Sequence, residues 1–293
     1  MTKPENISPN IAKDLARIAD ALERLSPKPA QIPDFSYKNN KAKGYLWEGD
    51  TKSFTPVKEI NYTELNLLIG IDDQKQKLLN NTKSFANGLP ANNALLWGAR
   101  GMGKSSLIKS VHDELSKEEN DTPLILIEIL REDISTLNEC LRILKKQDAQ
   151  FILFCDDLSF EPNDASYKSL KAMLEGGISG RPSNVIFYAT SNQRHLLARD
   201  QSEYNQKDYI HNNDLSNEKI SLSDRFGLWL GFYNCDKIHY DEIVKTYAKN
   251  LDIKLDTDEL IKRAHLWTIE RGNRSGRVAR QFIEHLLGEL GAK

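Results

Sequence analysis

Residues 98–105 read Gly-Ala-Arg-Gly-Met-Gly-Lys-Ser and match the pattern G-x-x-x-x-G-K-[ST]. Glycines at these spacings let a loop curl so that several backbone N–H groups point at one phosphate chain. The apolar run Ala-Leu-Leu-Trp at 94–97 precedes the loop, and a helical pattern starts at Lys104. The loop therefore joins a strand to the positive end of a helix dipole. We expect a phosphate-binding loop in which Lys104 meets the β- and γ-phosphates and Ser105 binds Mg²⁺.

Apolar runs of strand length alternate with helical stretches from about residue 61 onward. They lie at residues 94–97, 124–127, 151–155, 185–189 and 228–232. Near-continuous apolar strands separated by helices are typical of a parallel sheet with helices on both faces. We therefore expect an α/β fold whose core is a five-stranded parallel sheet.

The regions on either side of this core have a different character. After residue 234 three amphipathic helical patterns follow one another, which predicts a small helical domain at 235–293 next to a core at 61–234. Residues 1–60 are expected to hold an N-terminal helix, marked by an apolar seam at 11–25, and an extended connector with short strands. The seam covers barely two heptads, so it favours a helix docked on its own chain over a coiled coil.

Polar side chains follow two of the predicted strands at the point where each strand ends. The run 151–157 is an apolar strand that ends in Asp156 and Asp157, and Asn192 follows the next strand. The carboxyl ends of parallel strands meet at the edge of the sheet where ligands bind. We expect Asp156 to hold Mg²⁺, mainly through water, Asp157 to polarise an attacking water, and Asn192 to orient it. The alternative is an ordinary turn with solvated polar groups, and the preceding phosphate loop favours the site.

Two arginines are further candidates for the same chemistry. Arg225 lies in Leu-Ser-Asp-Arg-Phe-Gly at 222–227, just before the last strand, and Arg277 lies near the start of the last helix. Arginine suits the charge that develops on a transferring phosphoryl group, in cis or from a neighbouring subunit. The alternatives are a surface arginine paired with Asp224 for Arg225, and a basic solvated helix face for the region of Arg277.

Composition excludes several classes of protein. The 293 residues hold 40 Lys and Arg against 42 Asp and Glu, a net charge of −2, and 39% are hydrophobic, which excludes a disordered chain. This balance gives no general reason to bind nucleic acid or anionic lipid. The three cysteines have no CxxC spacing, the first residues lack a signal-peptide pattern, and no apolar run is long enough to span a membrane. We expect a cytoplasmic protein with reduced thiols and no membrane partner.

The ordered set of motifs resembles the AAA+ ATPases over about residues 61–290. The resemblance implies that Lys104 and Ser105 belong to Walker A, Asp156 and Asp157 to Walker B, and Asn192 to sensor 1. It likewise implies an arginine finger at Arg225, a sensor 2 arginine at Arg277, ATP and Mg²⁺ as ligands, and a homo-oligomer. The residues that it assigns to phosphate binding are Gly98, Ala99, Arg100, Gly101, Met102, Gly103, Lys104, Ser105 and Ser106. Those that it assigns to the adenine are Leu68, Ile69, Gly70 and Ile71.

Two closer resemblances refine this picture. Nearly the whole chain resembles a bacterial family of stand-alone predicted AAA+ ATPases of unknown function, which supplies no substrate. Residues 225–245 are similar to the Holliday-junction branch-migration motor, whose DNA-binding domain has no counterpart here. AAA+ motors usually end Walker B in Asp-Glu, whereas this chain has Asp156-Asp157. The shorter second acid favours a slow, switch-like ATPase over a fast motor.

Three functions fit the sequence to different degrees. The first is an ATPase, binding ATP and releasing ADP, whose oligomer remodels a protein or nucleic-acid partner. The second is an ATP-dependent switch with little turnover. A small-molecule kinase is the weakest, because Asn192, Arg225 and the predicted helical lid argue against it and no second substrate site is visible.

Overall fold

A computed structural model of the chain describes residues 17, 35, 37–39, 42–118, 122–160, 164–175, 181–194, 196 and 222–291. Its contacts divide the chain into two units, Met1–Asp34 and Phe35–Lys293. The helix expected at 11–25 lies outside the described residues except for Arg17. All described residues except Arg17 lie in the second unit.

The described part of the chain contains one seven-stranded sheet. Its strands are β1 (Gly44–Glu48), β2 (Ser53–Val57), β3 (Ala94–Gly98), β4 (Leu124–Ile129), β5 (Gln150–Cys155), β6 (Val185–Ser191) and β7 (Leu228–Phe232). They lie in the order β2-β1-β4-β5-β6-β3-β7, and all neighbours are parallel except β1 and β2. All five predicted strands are therefore confirmed, in one sheet.

The hairpin β1–β2 makes seven strands where five were expected. β1 pairs in parallel with β4, with Gly44 opposite Leu126, and so extends the sheet at that edge. Tyr45 and Trp47 are buried beneath it, and the indole N–H of Trp47 donates to the Thr136 hydroxyl at 2.8 Å. The segment expected to be a connector thus packs on the α/β core.

Helices cover both faces of the sheet, as expected. They are α1 (Asp72–Ala86), α2 (Lys104–Leu115), α3 (Leu137–Leu144) and α4 (Ala165–Glu175). Alternate residues of β5 face opposite sides: Leu153 packs in the apolar cluster that includes α3 and α4, and Ile152 in the cluster that includes α1 and α2. A strand buried on both sides explains the continuous apolar run seen in the sequence.

Three further helices follow β7, namely α5 (Lys237–Asn250), α6 (Thr257–Arg271) and α7 (Gly276–Leu290). They bury an apolar cluster of their own around Tyr240, Ala264 and Phe282. Asp236, Asp256 and Ser275 cap their N-termini with side-chain oxygens. No helix in the described part of the chain combines the length and apolarity needed to cross a bilayer.

Candidate active site

The loop between β3 and α2 has the backbone conformation that its glycines predict. Gly98, Gly101 and Gly103 have φ of 121°, 73° and 89°, a region that other residues seldom adopt. A Cβ at Gly98 would overlap the carbonyl oxygen of Phe232 on β7, so only glycine fits there. The next residue, Ala99, donates its N–H to that same carbonyl at 2.8 Å. The start of the loop is therefore held against the neighbouring strand.

Lys104, the first residue of α2, is a buried cation that the loop encloses, with 6% of its surface exposed. Its Nζ donates to the carbonyl oxygens of Gly98 and Ala99, at 2.8 Å each, and to Oδ1 of Asn192 at 3.2 Å. Burial lowers the pKa of the Lys104 ammonium, and the nearby Asp156 carboxylate opposes that effect. The ammonium is thus surrounded by weak neutral acceptors, which a phosphate oxygen can replace.

The predicted acids meet Lys104 and Ser105 at the carboxyl edge of the sheet. The Ser105 hydroxyl donates to Oδ1 of Asp156 at 2.5 Å. The Asn192 amide donates to Oδ1 of Asp157 while its own oxygen accepts from Lys104. The structure therefore connects Lys104, Asn192 and Asp157 in one chain of hydrogen bonds.

The oxygen donors of Ser105 and Asp156 suit Mg²⁺, a hard cation that prefers oxygen ligands. No group of three or more His, Cys, Asp or Glu side chains suitable for a metal occurs among the described residues. Mg²⁺ in nucleotide sites is usually held by one or two protein groups together with phosphate oxygens and water. The residues present therefore fit Mg²⁺ brought in with a nucleotide, and would hold it through Ser105 and Asp156.

The helices after β7 close the other side of the site. The backbone N–H of Arg277, at the start of α7, donates to the Gly101 carbonyl in the loop at 3.1 Å. Ser275 caps α7 through its hydroxyl, 3.3 Å from the Val278 N–H. The N-terminus of α7 thus rests directly on the phosphate loop, and the side chain of Arg277 lines the cleft between them.

This cleft has a volume of about 580 Å³ and lies between the loop, the acids and two of the three terminal helices, α5 and α7. Most of the predicted site residues line it, namely Leu68, Ile69, Ile71, Arg100, Gly101, Met102, Gly103, Lys104, Ser105, Ser106, Asp156, Asp157, Asn192 and Arg277. Gly98 and Ala99 take part through the carbonyls that hold Lys104. Gly70 is not a lining residue; its φ is 77° and the ring of His239 lies against it.

Arg225 does not reach the cleft of its own chain. Its Nη2 lies 2.8 Å from Oε1 of Glu175, at the end of α4, so its partner is Glu175 and not the Asp224 considered from the sequence. The burial of Phe226 just after it anchors this turn in the core. The arginine is thus displayed on the outside of the α/β core with its side chain 40% exposed.

Several residues that line the cleft were not predicted from the sequence. Thr190, on β6, contacts both acids, and Ile243, Tyr247 and Arg280 enter the cleft from α5 and α7. For Thr190 a signal existed, because the residue before Ser191-Asn192 must lie beside the acids once β5 and β6 are neighbours. No local motif identifies the residues of α5 and α7 as part of the site, because they reach the cleft only when these helices fold back onto the loop.

A model of the protein family described as "Protein of unknown function (DUF815)" matches residues 40–290. The chain belongs to this family. The match confirms the expected likeness to a family of unknown function, and it includes the hairpin β1–β2 as well as the three terminal helices. A search of curated proteins finds no match to this member of the family.

Several solved structures are similar to this chain at low sequence identity. The Aeropyrum pernix ORC1 protein, solved in complex with DNA, is 13% identical over 77% of this chain and 62% of that chain, with a TM-score of 0.55. The Thermotoga maritima RuvB Holliday junction branch migration motor is 16% identical over 76% and 72%, with a TM-score of 0.43. A Walker-type ATPase of Pyrococcus abyssi is 15% identical over 79% and 76%, with a TM-score of 0.43. The likeness to ORC1 shows that this chain shares the fold of that protein.

Proposed function

We propose that the protein binds ATP in this cleft and hydrolyses it to ADP and phosphate, and that it does so as an oligomer acting on a macromolecular partner. The observation that carries the proposal is the hydrogen-bond chain from Lys104 through Asn192 to Asp157, beside Ser105 and Asp156. A module that only binds nucleotide needs the loop and its lysine. It does not need an acid and an amide positioned next to the lysine ammonium.

Each group has a task that follows from its position. The loop N–H groups and the Lys104 ammonium bind the phosphates, because they place positive charge along one concave backbone. Asp157 accepts a proton from water, and Asn192, bonded to both Asp157 and Lys104, orients that water. Mg²⁺, held through Ser105 and Asp156, would neutralise charge on the β- and γ-phosphates when bound.

The base and the lid complete the proposed nucleotide site. Leu68 and Ile71, which belong to an apolar cluster of the α/β core, line the cleft on one side, and Ile243 and Tyr247 of α5 line it on the other. Ile69 also lines the cleft and packs against the apolar cluster of the terminal helices. A nucleotide between these two surfaces would join the α/β core to the terminal helices. The backbone of Arg277 already contacts the loop. A contact between its side chain and the phosphate would couple nucleotide binding to the position of α7.

The proposed oligomer rests on Arg225, which lies outside the cleft of its own chain, where only an exposed ion pair with Glu175 would have to be exchanged for it to reach a neighbouring cleft. The partner, protein or nucleic acid, is not identified by the geometry of the site. Among the described residues Cys140, Cys155 and Cys235 are free thiols, which supports a reducing, cytoplasmic compartment.

A direct test is phosphate release by the purified protein with ATP, with and without Mg²⁺, as protein concentration is increased. The proposal expects Mg²⁺-dependent turnover with a specific activity that rises as subunits assemble. Nucleotide binding without phosphate release over many hours would reject hydrolysis while keeping the binding site.

A second function, an ATP-dependent switch with little turnover, is favoured by one observation. The carboxylate of Asp157 is already engaged by the amide of Asn192, and it is a methylene shorter than the usual Glu. An acid held in this way activates water poorly until the amide moves. Single-turnover and steady-state rates separate the two, because a switch hydrolyses one ATP per subunit and then stops in the ADP state.

A further inference from the structure

Thr190 is the buried residue that connects the two acids, with 1% of its surface exposed. Its hydroxyl donates to Oδ1 of Asp156 at 2.5 Å and accepts the backbone N–H of Asp157 at 2.9 Å. Its carbonyl accepts the N–H of Leu158 at 2.7 Å. One residue thus makes three hydrogen bonds to three consecutive residues of the turn after β5.

The register of the sheet explains this position. Cys155 on β5 lies opposite Ala189 on β6, so the next residues, Asp156 and Thr190, are also neighbours. Because both strands are parallel and buried, Thr190 is held by the sheet itself and not by a mobile loop. The turn that it supports begins at the last residue of β5.

The backbone of Asp157 needs this support. Its φ is 50°, a left-handed conformation that costs a non-glycine residue about 1 kcal/mol or more and persists only where the surroundings enforce it. The Thr190 hydroxyl and carbonyl hold the N–H groups of Asp157 and Leu158, the two peptide units on which that conformation depends. This conformation in turn presents the Asp157 side chain to Asn192.

The same hydroxyl restricts the rotation of the Asp156 carboxylate. Oδ1 of Asp156 accepts from both Thr190 and Ser105, and no hydrogen bond among the described residues reaches Oδ2. With one oxygen occupied, the carboxylate cannot rotate freely, and its second oxygen keeps a fixed direction. A partner that fixes a metal-binding carboxylate in this way typically changes metal affinity by 10–100-fold when removed.

We propose that Thr190 is a positioning residue that orients both acids, Asp156 for Mg²⁺ and Asp157 for water, through its single hydroxyl. The inference rests on the proposed nucleotide site and adds to it a residue that no motif assigns. Thr190 lines the cleft, but its hydroxyl is occupied by the two acids, so its effect is expected on the Mg²⁺ requirement first and on turnover as a consequence.

The test compares Thr190→Ser, which keeps the hydroxyl, with Thr190→Ala and the similarly shaped Thr190→Val, which remove it. Binding of a fluorescent ATP analogue is titrated with Mg²⁺, and again in excess EDTA. Thr82→Val is the matched control, because Thr82 is equally buried and bonds to Tyr188 on the same strand, away from the acids. Thermal melting of each variant checks that it is folded, and Ala replaces Val where the larger side chain prevents folding.

The proposal expects the half-saturating Mg²⁺ concentration to rise by roughly 10–100-fold in Thr190→Val and Thr190→Ala. Thr190→Ser and Thr82→Val should stay within a factor of about three of wild type, and binding in EDTA should be similar for all. An unchanged Mg²⁺ requirement in folded Thr190→Ala, or an equal shift in Thr82→Val, overturns the role of Thr190 alone. A wild-type protein that binds the analogue equally with Mg²⁺ and with EDTA overturns the metal site and this inference together.

Discussion

Arg225 is held by Glu175 of its own chain, with Nη2 2.8 Å from Oε1. Both side chains are more than one-third exposed, and ion pairs of this kind contribute only about 0.2–1 kcal/mol. An arginine finger supplied in trans is worth roughly 10³–10⁵ in rate, which is several kcal/mol. In the proposed oligomer, the nucleotide of a neighbouring subunit would therefore compete with Glu175 for Arg225 at little cost in free energy.

We predict that Arg225→Ala leaves ATP affinity nearly unchanged and removes most of the turnover, because the guanidinium acts on charge that develops during hydrolysis. Glu175→Gln is the control, since it breaks the same ion pair and keeps Arg225. Steady-state phosphate release and nucleotide titration measure the two effects. An equal loss of turnover in Glu175→Gln would indicate that the pair matters for the fold or the interface, not as a finger.

If Arg225 acts on a neighbouring subunit, a mixture of two inactive variants is expected to recover activity. Arg225→Ala mixed with Lys104→Ala should regain part of the activity, because only mixed neighbours place an intact cleft beside an intact finger. Light scattering of the mixture establishes that the two variants assemble together. An inactive mixture that demonstrably co-assembles contradicts the trans role.

The sequence predicted the sheet well and its edge poorly, for a physical reason. β5 reads as a continuous apolar run because both of its faces are buried, and the same holds for the other central strands. β2 has no buried residue, and Pro56 within it is tolerated because this strand lies at the edge. A strand of that kind carries no periodic signal, so the hairpin was expected only as a connector with short strands.

The site likewise contains residues that local motifs predict and residues that only tertiary packing brings into place. Lys104, Ser105 and Asp156 were predicted because each lies in a local motif whose chemistry needs that residue type. Tyr247 lies on an ordinary amphipathic helix, and nothing in its own sequence context shows that the helix folds back onto the loop. Arg225 was predicted as a candidate, but its partner Glu175 is 50 residues away in sequence and is brought near only by packing.

Lys104→Ala is predicted to weaken ATP binding by roughly 10–100-fold, since a hydrogen bond to a charged group is worth about 1.5–3 kcal/mol. The variant also leaves the Gly98 and Ala99 carbonyls without their donor, so a modest loss of thermal stability is expected. Lys77→Ala, which removes an exposed lysine paired with Asp73, is the control. Calorimetric titration gives the affinities, and equal affinity for wild type and Lys104→Ala would remove the phosphate-loop assignment.

Asp157→Asn is predicted to keep ATP bound and to slow hydrolysis, because it removes the proton acceptor and leaves Asp156 for Mg²⁺. The amide also changes the contact with Asn192, which now meets a neutral group. Single-turnover measurements with saturating ATP isolate the chemical step, and nucleotide titration checks binding. Turnover of Asp157→Asn at the wild-type rate would assign the acid to another residue.

His112 makes the stability of the fold depend on pH. It is buried on α2, with Nε2 3.2 Å from the Leu124 carbonyl oxygen and Nδ1 without a partner among the described residues. Burial lowers the pKa of His112 to about 4. The neutral ring is therefore favoured in the folded state, while the unfolded chain takes up a proton near its ordinary pKa of about 6.5.

The sign of the effect follows from proton uptake. Between about pH 6.5 and pH 4 the unfolded state binds more protons at this residue, so the free energy of unfolding falls as the pH is lowered, by about 3 kcal/mol in total. His112→Gln keeps an N–H donor for Leu124 and does not titrate, so its urea midpoint should fall less over this range. Above pH 7 the urea midpoints of the two proteins should differ by a constant amount. That constant difference measures any general destabilisation by the substitution. Equal slopes for wild type and His112→Gln between pH 6.5 and pH 4 would show that other groups govern the acid sensitivity.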